Sequence, residues 1–522
     1  MRAKGKVRAI MALMAVAALL ASLFATATVA QAATPQPIKD SIDKGLEWLA
    51  GQQDPADWSW GAAYGYRVGH TGLAVLKFEH HAVFGLGVSP FDPGYKYHVQ
   101  VEKGLDFLFS MAQLVPPPLT SPWGDPDPDG DGAVAISEYG DDVYEVGIAM
   151  MAIAASNAPA RVVNVAGSAV NTWTYSRVLQ DMVDWMAWAQ TDDGAMEGGW
   201  RYAPNEGDSD NSVSGWAALG LGYAAAPPPW GFGLTVPAFV KTELNKWIAY
   251  IQNPVDGDAE DGGSGYTDPF GWVNIYKTGN LLYEMALVGD TAATPRVQAA
   301  VAYLVRHWND ADQDPGWKGD ATTSQYQATL SVMKGLEALG INTIDGIDWF
   351  KDFTDAIVAE QIIDSPSTGH WQGSSWGNPV LDTAWAMLTM QKAVPPPRLA
   401  LTPVTATNPL NSSHLLTARL VDANNQPVPG ETITFTVTAG PHAGKTGTGV
   451  TDANGQATWS YTGTIPGDDT IVATGAGVTS NEAKKSWAGA PPAVPGMTEW
   501  GIIGTVAVLG GLMLVSLRRR TA

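Results

Sequence analysis

Residues 213–219 read VSGWAAL, and the same seven-place pattern returns as HTGLAVL (70–76), EVGIAMM (145–151), KTGNLLY (277–283), YQATLSV (326–332) and DTAWAML (382–388). The third place is always small: Gly72, Gly147, Gly215, Gly279, Ala328 and Ala384. A small side chain at a fixed place on a helix lets a neighbouring helix approach closely. Each pattern follows a second helical signature with apolar residues at i, i+3 and i+4: GLEWLAGQQ (45–53), GLDFLFSMAQ (104–113), MVDWMAWAQ (182–190), LNKWIAYIQ (244–252), AVAYLVRHW (300–308) and FTDAIVAEQ (353–361).

Residues 34–393 therefore read as six helical hairpins, none able to bury its apolar face alone. The economical closure is an (α/α)6 toroid with the small-residue helices inside. An open solenoid is the alternative, and it calls for polar end repeats that the sequence does not show. On the helix pattern together with GGWRY…SVSGW (198–216), PGWKGD (315–320) and HWQGSSWG (370–377), this region resembles the prenyltransferase and squalene oxidase repeat of terpenoid cyclases. The resemblance implies the toroid and says little about the reaction, because one fold hosts unrelated chemistries.

There is no cysteine. This excludes thiol catalysis and thiolate zinc, and with them the protein prenyltransferase and thioester chemistries that the same toroid also carries. Class II cyclases use an Asp-x-Asp-Asp motif whose third place donates a proton. The resemblance places Asp208-Ser209-Asp210-Asn211 there, with Asp210 as donor, Asp208 beside it and Asn where the last carboxylate belongs. The same turn reads equally as a helix N-cap.

Toroids also serve as glycosidases, with paired carboxylates and tryptophans around a groove. Asp141, Asp142, Glu145, Asp208, Asp210 and Asp382 stand at helix entrances, and Trp60, Trp123, Trp200, Trp272, Trp317, Trp371 and Trp376 lie in nearby loops. The third reading is a binding module whose concave face is lined by Trp200, Arg201, Tyr202, Glu145, Asp382 and Trp376. The sequence leaves open a glycan or an isoprenoid as the ligand.

The segment DPDGDGAVAISE (127–138) fits a calcium loop. Asp127, Asp129 and Asp131 are expected to donate carboxylates, Ala133 a carbonyl and Glu138 a closing bidentate pair, with Gly132 at the bend. The proline-rich stretch before it forms no helix, so the expectation is an isolated loop that feeds one helix and stiffens the ring. DGDAEDGG (256–263) and NDADQDPG (309–316) are acidic but miss that spacing.

Both ends point to export. Arg2, Lys4, Lys6 and Arg8 precede an apolar run from Ile10 to Phe24 and the small-x-small site Ala30-Gln31-Ala32, so residues 1–32 read as a signal peptide. Its removal takes the formal charge from −22 to −26, which argues against nucleic-acid partners. At the other end (489–522), Ile502 to Leu517 form an apolar segment of about 24 Å as a helix, expected to span a membrane and followed by Arg518, Arg519 and Arg520 on the inner side. With Val494, Pro495, Met497, Glu499, Trp500 and Gly501 before it, this tail resembles the sorting signals read by exosortase-type enzymes, which implies such an enzyme as a partner.

After the VPPPR linker (394–398) the periodicity changes from helical to alternating. ETITFTVTAG (431–440) and GQATWSYTG (455–463) place Ile433, Phe435 and Val437, then Ala457, Trp459 and Tyr461, on one strand face each. Residues 398–488 read as a β-sandwich. The run LVDANNQPVPGETITFTV (420–437) with TDANGQATWSY (451–461) resembles the bacterial Ig-like domain of the invasin and intimin type, which implies a spacer or adhesion module.

Overall fold

The computed structural model describes residues 36–488 apart from 140–141, 256, 311–313, 319–322, 374–377, 393–397, 422–426 and 476–477. The expected signal segment (1–32), the expected sorting residues Val494, Pro495, Trp500 and Gly501, the expected 502–517 span, and the candidates Asp141 and Trp376 lie outside the described residues. Among the described residues, no helix is long and apolar enough to cross a membrane. The chain divides into a helical unit and a strand unit, the boundary falling at 396/397.

Among the described residues the helical unit holds, besides a π-helical stretch (His81–Leu86), twelve α-helices, two for every repeat. They are α1 (Gln36–Ala50), α2 (Arg67–His80), α3 (His98–Ser110), α4 (Val143–Ala155), α5 (Tyr175–Trp188), α6 (Asn211–Ala225), α7 (Ala238–Ile251), α8 (Ile275–Val288), α9 (Pro295–His307), α10 (Tyr326–Ala338), α11 (Trp349–Ala359) and α12 (Pro379–Thr389). The odd-numbered helices bury one stripe; α9 buries only Val297, Ala300, Tyr303 and Leu304. The even-numbered ones are buried nearly all round, as a helix apolar on every side must be; on α4 only Tyr144 escapes burial.

The even helices form a closed cycle of neighbours: α2 packs on α4, α4 on α6, α6 on α8, α8 on α10, α10 on α12, and α12 back on α2. The small place makes this approach possible. A Cβ on Gly72 would lie 2.7 Å from Ile148 Cγ2, one on Gly147 2.6 Å from the Trp216 carbonyl oxygen, and one on Gly279 2.5 Å from Val332 N. Gly215 backs in the same way onto Asn280. Each glycine thus meets the next helix of the cycle beside or near that helix's own small residue.

The loop tryptophans serve this frame. Trp60, Trp200 and Trp371 are fully buried. Their indole N–H groups donate to Leu49, Met186 and Ile357 carbonyls on the preceding helix at 2.7, 2.9 and 2.7 Å. Their backbone N–H groups donate to the hydroxyl just before the small place, Thr71, Ser214 or Thr383, at 2.9 to 3.0 Å. Trp317 is buried as well. None of these four is available as a ligand platform.

Two short hairpins were not foreseen: β1 (Ala112–Val115) with β2 (Ala133–Ile136), and β3 (Ile362–Ser365) with β4 (Thr368–His370). The acidic loop 127–132 therefore feeds a strand, which packs on α5, and not a helix directly.

In the strand unit, β5 (Arg398–Thr402), β7 (Ser413–Val421) and β10 (Gln456–Thr462) form one sheet in the order β10-β7-β5. The other runs β6-β13-β11-β8-β9, from β6 (Thr405–Pro409), β8 (Thr432–Ala439), β9 (Thr446–Val450), β11 (Gly467–Gly475) and β13 (Ala483–Ala488), with β12 (Val478–Thr479) beside β11. Ile433, Phe435, Val437, Ala457 and Tyr461 are buried between them, and Trp459 packs against that core. The alternation read from the sequence is the alternation of burial. Asp469 lies inside this unit and accepts from His442 Nδ1, Tyr461 Oη and Trp487 Nε1 at 2.8 to 2.9 Å and from the His442 backbone N–H at 3.0 Å.

Candidate functional site

The N-terminal ends of all six even helices border one concave region. Four are capped by short side chains just outside the helix, which accept from first-turn N–H groups: Asp142 for α4, Asp210 for α6, Asn274 for α8 and Asn378 for α12. At α2 the cap comes from afar, since Glu138 Oε2 accepts the Arg67 N–H at 2.7 Å.

Two adjoining cavities open here, of about 710 and 300 Å³, sharing Tyr144, Tyr202, Ser212 and Gln327. The residue three places before each small one faces them: Gly69, Tyr144, Ser212, Tyr276, Gln325 and Leu381 all line the region. Leu73, Ile148, Trp216 and Trp385, one place after the small residue, line the larger cavity. That spacing of four is one helical turn, so these side chains lie one above the other on the inward stripe.

A chain of hydroxyl and amide groups crosses the region. Tyr144 Oη and Ser212 Oγ share a hydrogen bond, Ser212 Oγ and Tyr276 Oη another at 2.9 Å, and Gln327 Nε2 donates to Tyr276 Oη at 2.9 Å. Tyr202 and Tyr266 pair their hydroxyls at 2.9 Å. Tyr64, Tyr66, Tyr202 and Trp272 remain 42 to 55% exposed. Tyr66 and Trp272 adopt φ of 54° and 53°, a left-handed conformation that costs a non-glycine residue about 1 kcal/mol.

Lys277 is the cation of the smaller cavity. It is 1% exposed, and its Nζ sits 4.0 Å from the centre of the Trp272 ring. Burial pulls its pKa down to about 7, against the pull of Asp314 and Asp210.

The acidic turn forms the N-cap of α6. Asp210 Oδ1 accepts from the Ser212 and Val213 N–H groups, both at 2.8 Å, and Oδ2 pairs with Arg201 Nη1 at 2.7 Å. Burial raises its pKa, opposed by the Val213 amide, Arg201 and the Ser212 amide. Asp210 borders neither cavity; Tyr202 does, with the Arg201 guanidinium 4.8 Å from its ring. Asp208 stands 3.5 Å from Arg201 Nε at the surface.

The other candidates divide. Glu145 lines the larger cavity, but its carboxylate accepts from the Glu138 N–H at 2.7 Å, Ser137 Oγ at 3.2 Å and the Gly69 N–H at 3.3 Å. Asp382 is buried and accepts the Gly373 N–H at 2.9 Å. Trp200 leaves the candidate ligand set because it is buried and its indole is already bonded. Trp123 is exposed but borders neither cavity, and its ring carries Lys246 Nζ at 4.0 Å.

The residues expected around the acidic loop do not all stay together. Glu138 does not close the acidic loop. The strand β2 begins at Ala133, and three steps of ~3.3 Å carry the chain about 10 Å from the bend. There Glu138 pairs with Arg67 Nε at 2.7 Å. Asp131 pairs with Arg177 at 2.8 Å. Asp127 and Asp129 instead meet Asp184 of α5, one oxygen of each lying within 4.8 Å of the others.

Sequence reasoning missed Tyr144, Ser212, Tyr266, Tyr276, Lys277 and Gln327. Four of them were legible, since Tyr144, Ser212 and Tyr276 stand three places before the small residue of their repeats, and Lys277 two places before it.

Residues 402–486 match the bacterial Ig-like domain (group 1) family. Such domains are typically found on exported bacterial surface proteins. No curated protein is significantly similar to the chain.

Proposed function

We propose that the helical unit is an α/α toroid of terpenoid-cyclase-like repeats that binds a ligand at the N-terminal mouth of its inner helices, on an exported protein that also carries the Ig-like domain. The closed cycle of even helices supports the toroid. In this reading residues 1–32 direct export, and the 489–522 tail tethers the chain in the membrane for an exosortase-type enzyme to process.

One observation carries the binding role: Tyr64, Tyr66, Tyr202 and Trp272 stay exposed around a single concavity, whereas the carboxylates of Asp142, Glu145 and Asp210 are engaged in hydrogen bonds with backbone or neighbours. Exposed aromatic faces next to hydroxyl and amide groups suit a hydroxyl-rich ligand, with rings stacking on its apolar faces and Ser212 and Gln327 hydrogen-bonding. A glycan fits that description better than an isoprenoid, which has no hydroxyl rows to match. The enzymatic alternatives need a free acid at the cavity, and Asp210 is paired.

Titration calorimetry of the full chain against a glycan panel tests the proposal. Binding by the wild type, weakened at least about tenfold in W272A and Y202A, is the expected outcome. Turnover of a polyprenyl compound that disappears in D210N would replace binding by cyclase chemistry, and release of reducing ends from a bound glycan would replace it by hydrolysis.

A further inference from the structure

The acidic loop after β1 holds its charge differently from the mouth of the toroid. Asp127 is 6% exposed, and its two oxygens accept the Gly130 and Gly132 N–H groups, each at 3.0 Å. Gly132 has φ of 99°, and a Cβ there would lie 2.6 Å from the Val115 carbonyl oxygen, so this bend tolerates only glycine. The bend turns the carboxylates of Asp127 and Asp129 toward α5.

On α5 two further carboxylates face the loop. Asp184 is 1% exposed; Oδ1 accepts from Gln180 Nε2 at 3.1 Å, and Oδ2 is buried with no hydrogen-bond partner. Asp181 is 2% exposed, its Oδ2 also lacks a hydrogen bond, and the nearest guanidinium nitrogen, Arg177 Nε, is 3.9 Å away. A buried carboxylate oxygen without a donor costs several kcal/mol unless a cation or proton compensates it.

We propose that Asp127, Asp129 and Asp184 hold a divalent cation, calcium, which ties the 127–132 loop to α5.

Every donor is a hard oxygen, which selects against the soft and borderline metals that prefer sulfur or imidazole. Three carboxylates from two chain segments, with Asp131 and Asp181 close by, suit the six to eight oxygens of calcium. Magnesium keeps most of its water and is usually held by one or two carboxylates. The set shares two aspartates with the loop motif read from the sequence and replaces Glu138 by a helix residue that no loop pattern contains. It does not depend on what the mouth binds.

Thermal melts of the full chain in EDTA, calcium and magnesium, with terbium luminescence excited through tryptophan as a second readout, test this. Calcium should raise the melting temperature of the helical unit in a concentration-dependent way, and should displace terbium, with magnesium much weaker. D184N and D129N should each move the calcium midpoint at least about tenfold, while E138Q leaves it unchanged. Asp129 is exposed, so D129N decides the matter if D184N fails to fold. Equal melting in EDTA and calcium would overturn the proposal. So would a calcium response kept in both Asp variants, or one lost only in E138Q.

Discussion

The acidic turn at 208–210 and the acidic loop at 127–131 carry similar charge and lie beside helices of the same unit, yet they are neutralised in opposite ways. At the turn, Asp210 finds two backbone N–H groups and the Arg201 guanidinium, so every buried oxygen has a donor. At the loop, Asp127 finds two N–H groups, but Asp184 and Asp181 each keep a buried oxygen with no hydrogen bond: Gln180 reaches only the other oxygen of Asp184, and Arg177 Nε stays 3.9 Å from Asp181. A buried carboxylate with all its partners in the protein is framework. One whose partners are missing must be compensated by a proton or a cation.

The sharpest test of that contrast is D210A. It removes the α6 cap and leaves Arg201 without its buried partner, so the helical unit should lose about 3–5 kcal/mol in chemical denaturation. A loss below about 1 kcal/mol would make the turn no more structural than the loop.

Asp469 extends the comparison to the strand unit, where four donors converge on one buried carboxylate. D469N should cost that unit about 2–3 kcal/mol. The pH dependence separates the two framework carboxylates. Burial opposes ionisation of Asp469, but the His442 amide, Trp487, Tyr461 and His442 together hold its pKa below the ordinary value. Its contribution is therefore full above the unfolded carboxylate pKa and is lost as pH falls through the folded value. The folded pKa of Asp210 is raised, so its term has the opposite sign: the helical unit loses stability as pH rises from the unfolded pKa to the folded one. Melts of the two transitions between pH 3 and 6, with the D469N and D210N variants as controls for each group, resolve both signs.

At the loop the expected effects are smaller and reversed. In EDTA at neutral pH, D184N should stabilise the helical unit by about 1–2 kcal/mol, because an amide relieves the crowding of like charges. D129N, at an exposed position, should change apo stability by no more than about 0.5 kcal/mol. Destabilisation by D184N in chelator would mean that the second oxygen of Asp184, beyond the one Gln180 reaches, is also satisfied within the protein, and would erase the contrast.

The helices were legible because their signals are local. Gly147 and Gly215 sit where a side chain would strike the next helix, and the run VGIAMM (146–151) is apolar on every side because α4 is surrounded. The inward stripe was legible in principle too, since Tyr144 and Ile148 flank Gly147 at fixed spacing, and Ser212 and Trp216 flank Gly215 likewise. The site chemistry was not. Trp200 and Trp272 are the same residue type in equivalent-looking loops and both donate the indole N–H, to Met186 and Asp314, but the first ring is buried while the second stays exposed at the cavity. Glu138 satisfied a loop spacing that β2 then pulled apart.

By itself the sequence determined the twelve helices, the small contact places, the strand alternation around Phe435 and Tyr461, and the bend at Gly132. The helices and strands depend on periodicity within a few residues, and a close contact that leaves no room for a side chain shows in the sequence as a small residue at a fixed place. Only the tertiary structure decided which carboxylates are satisfied. Whether Asp210 meets Arg201 or Asp184 meets Asp127 depends on how separate segments pack, and a charge removed from water is governed by its nearest neighbours in space, whatever their distance along the chain.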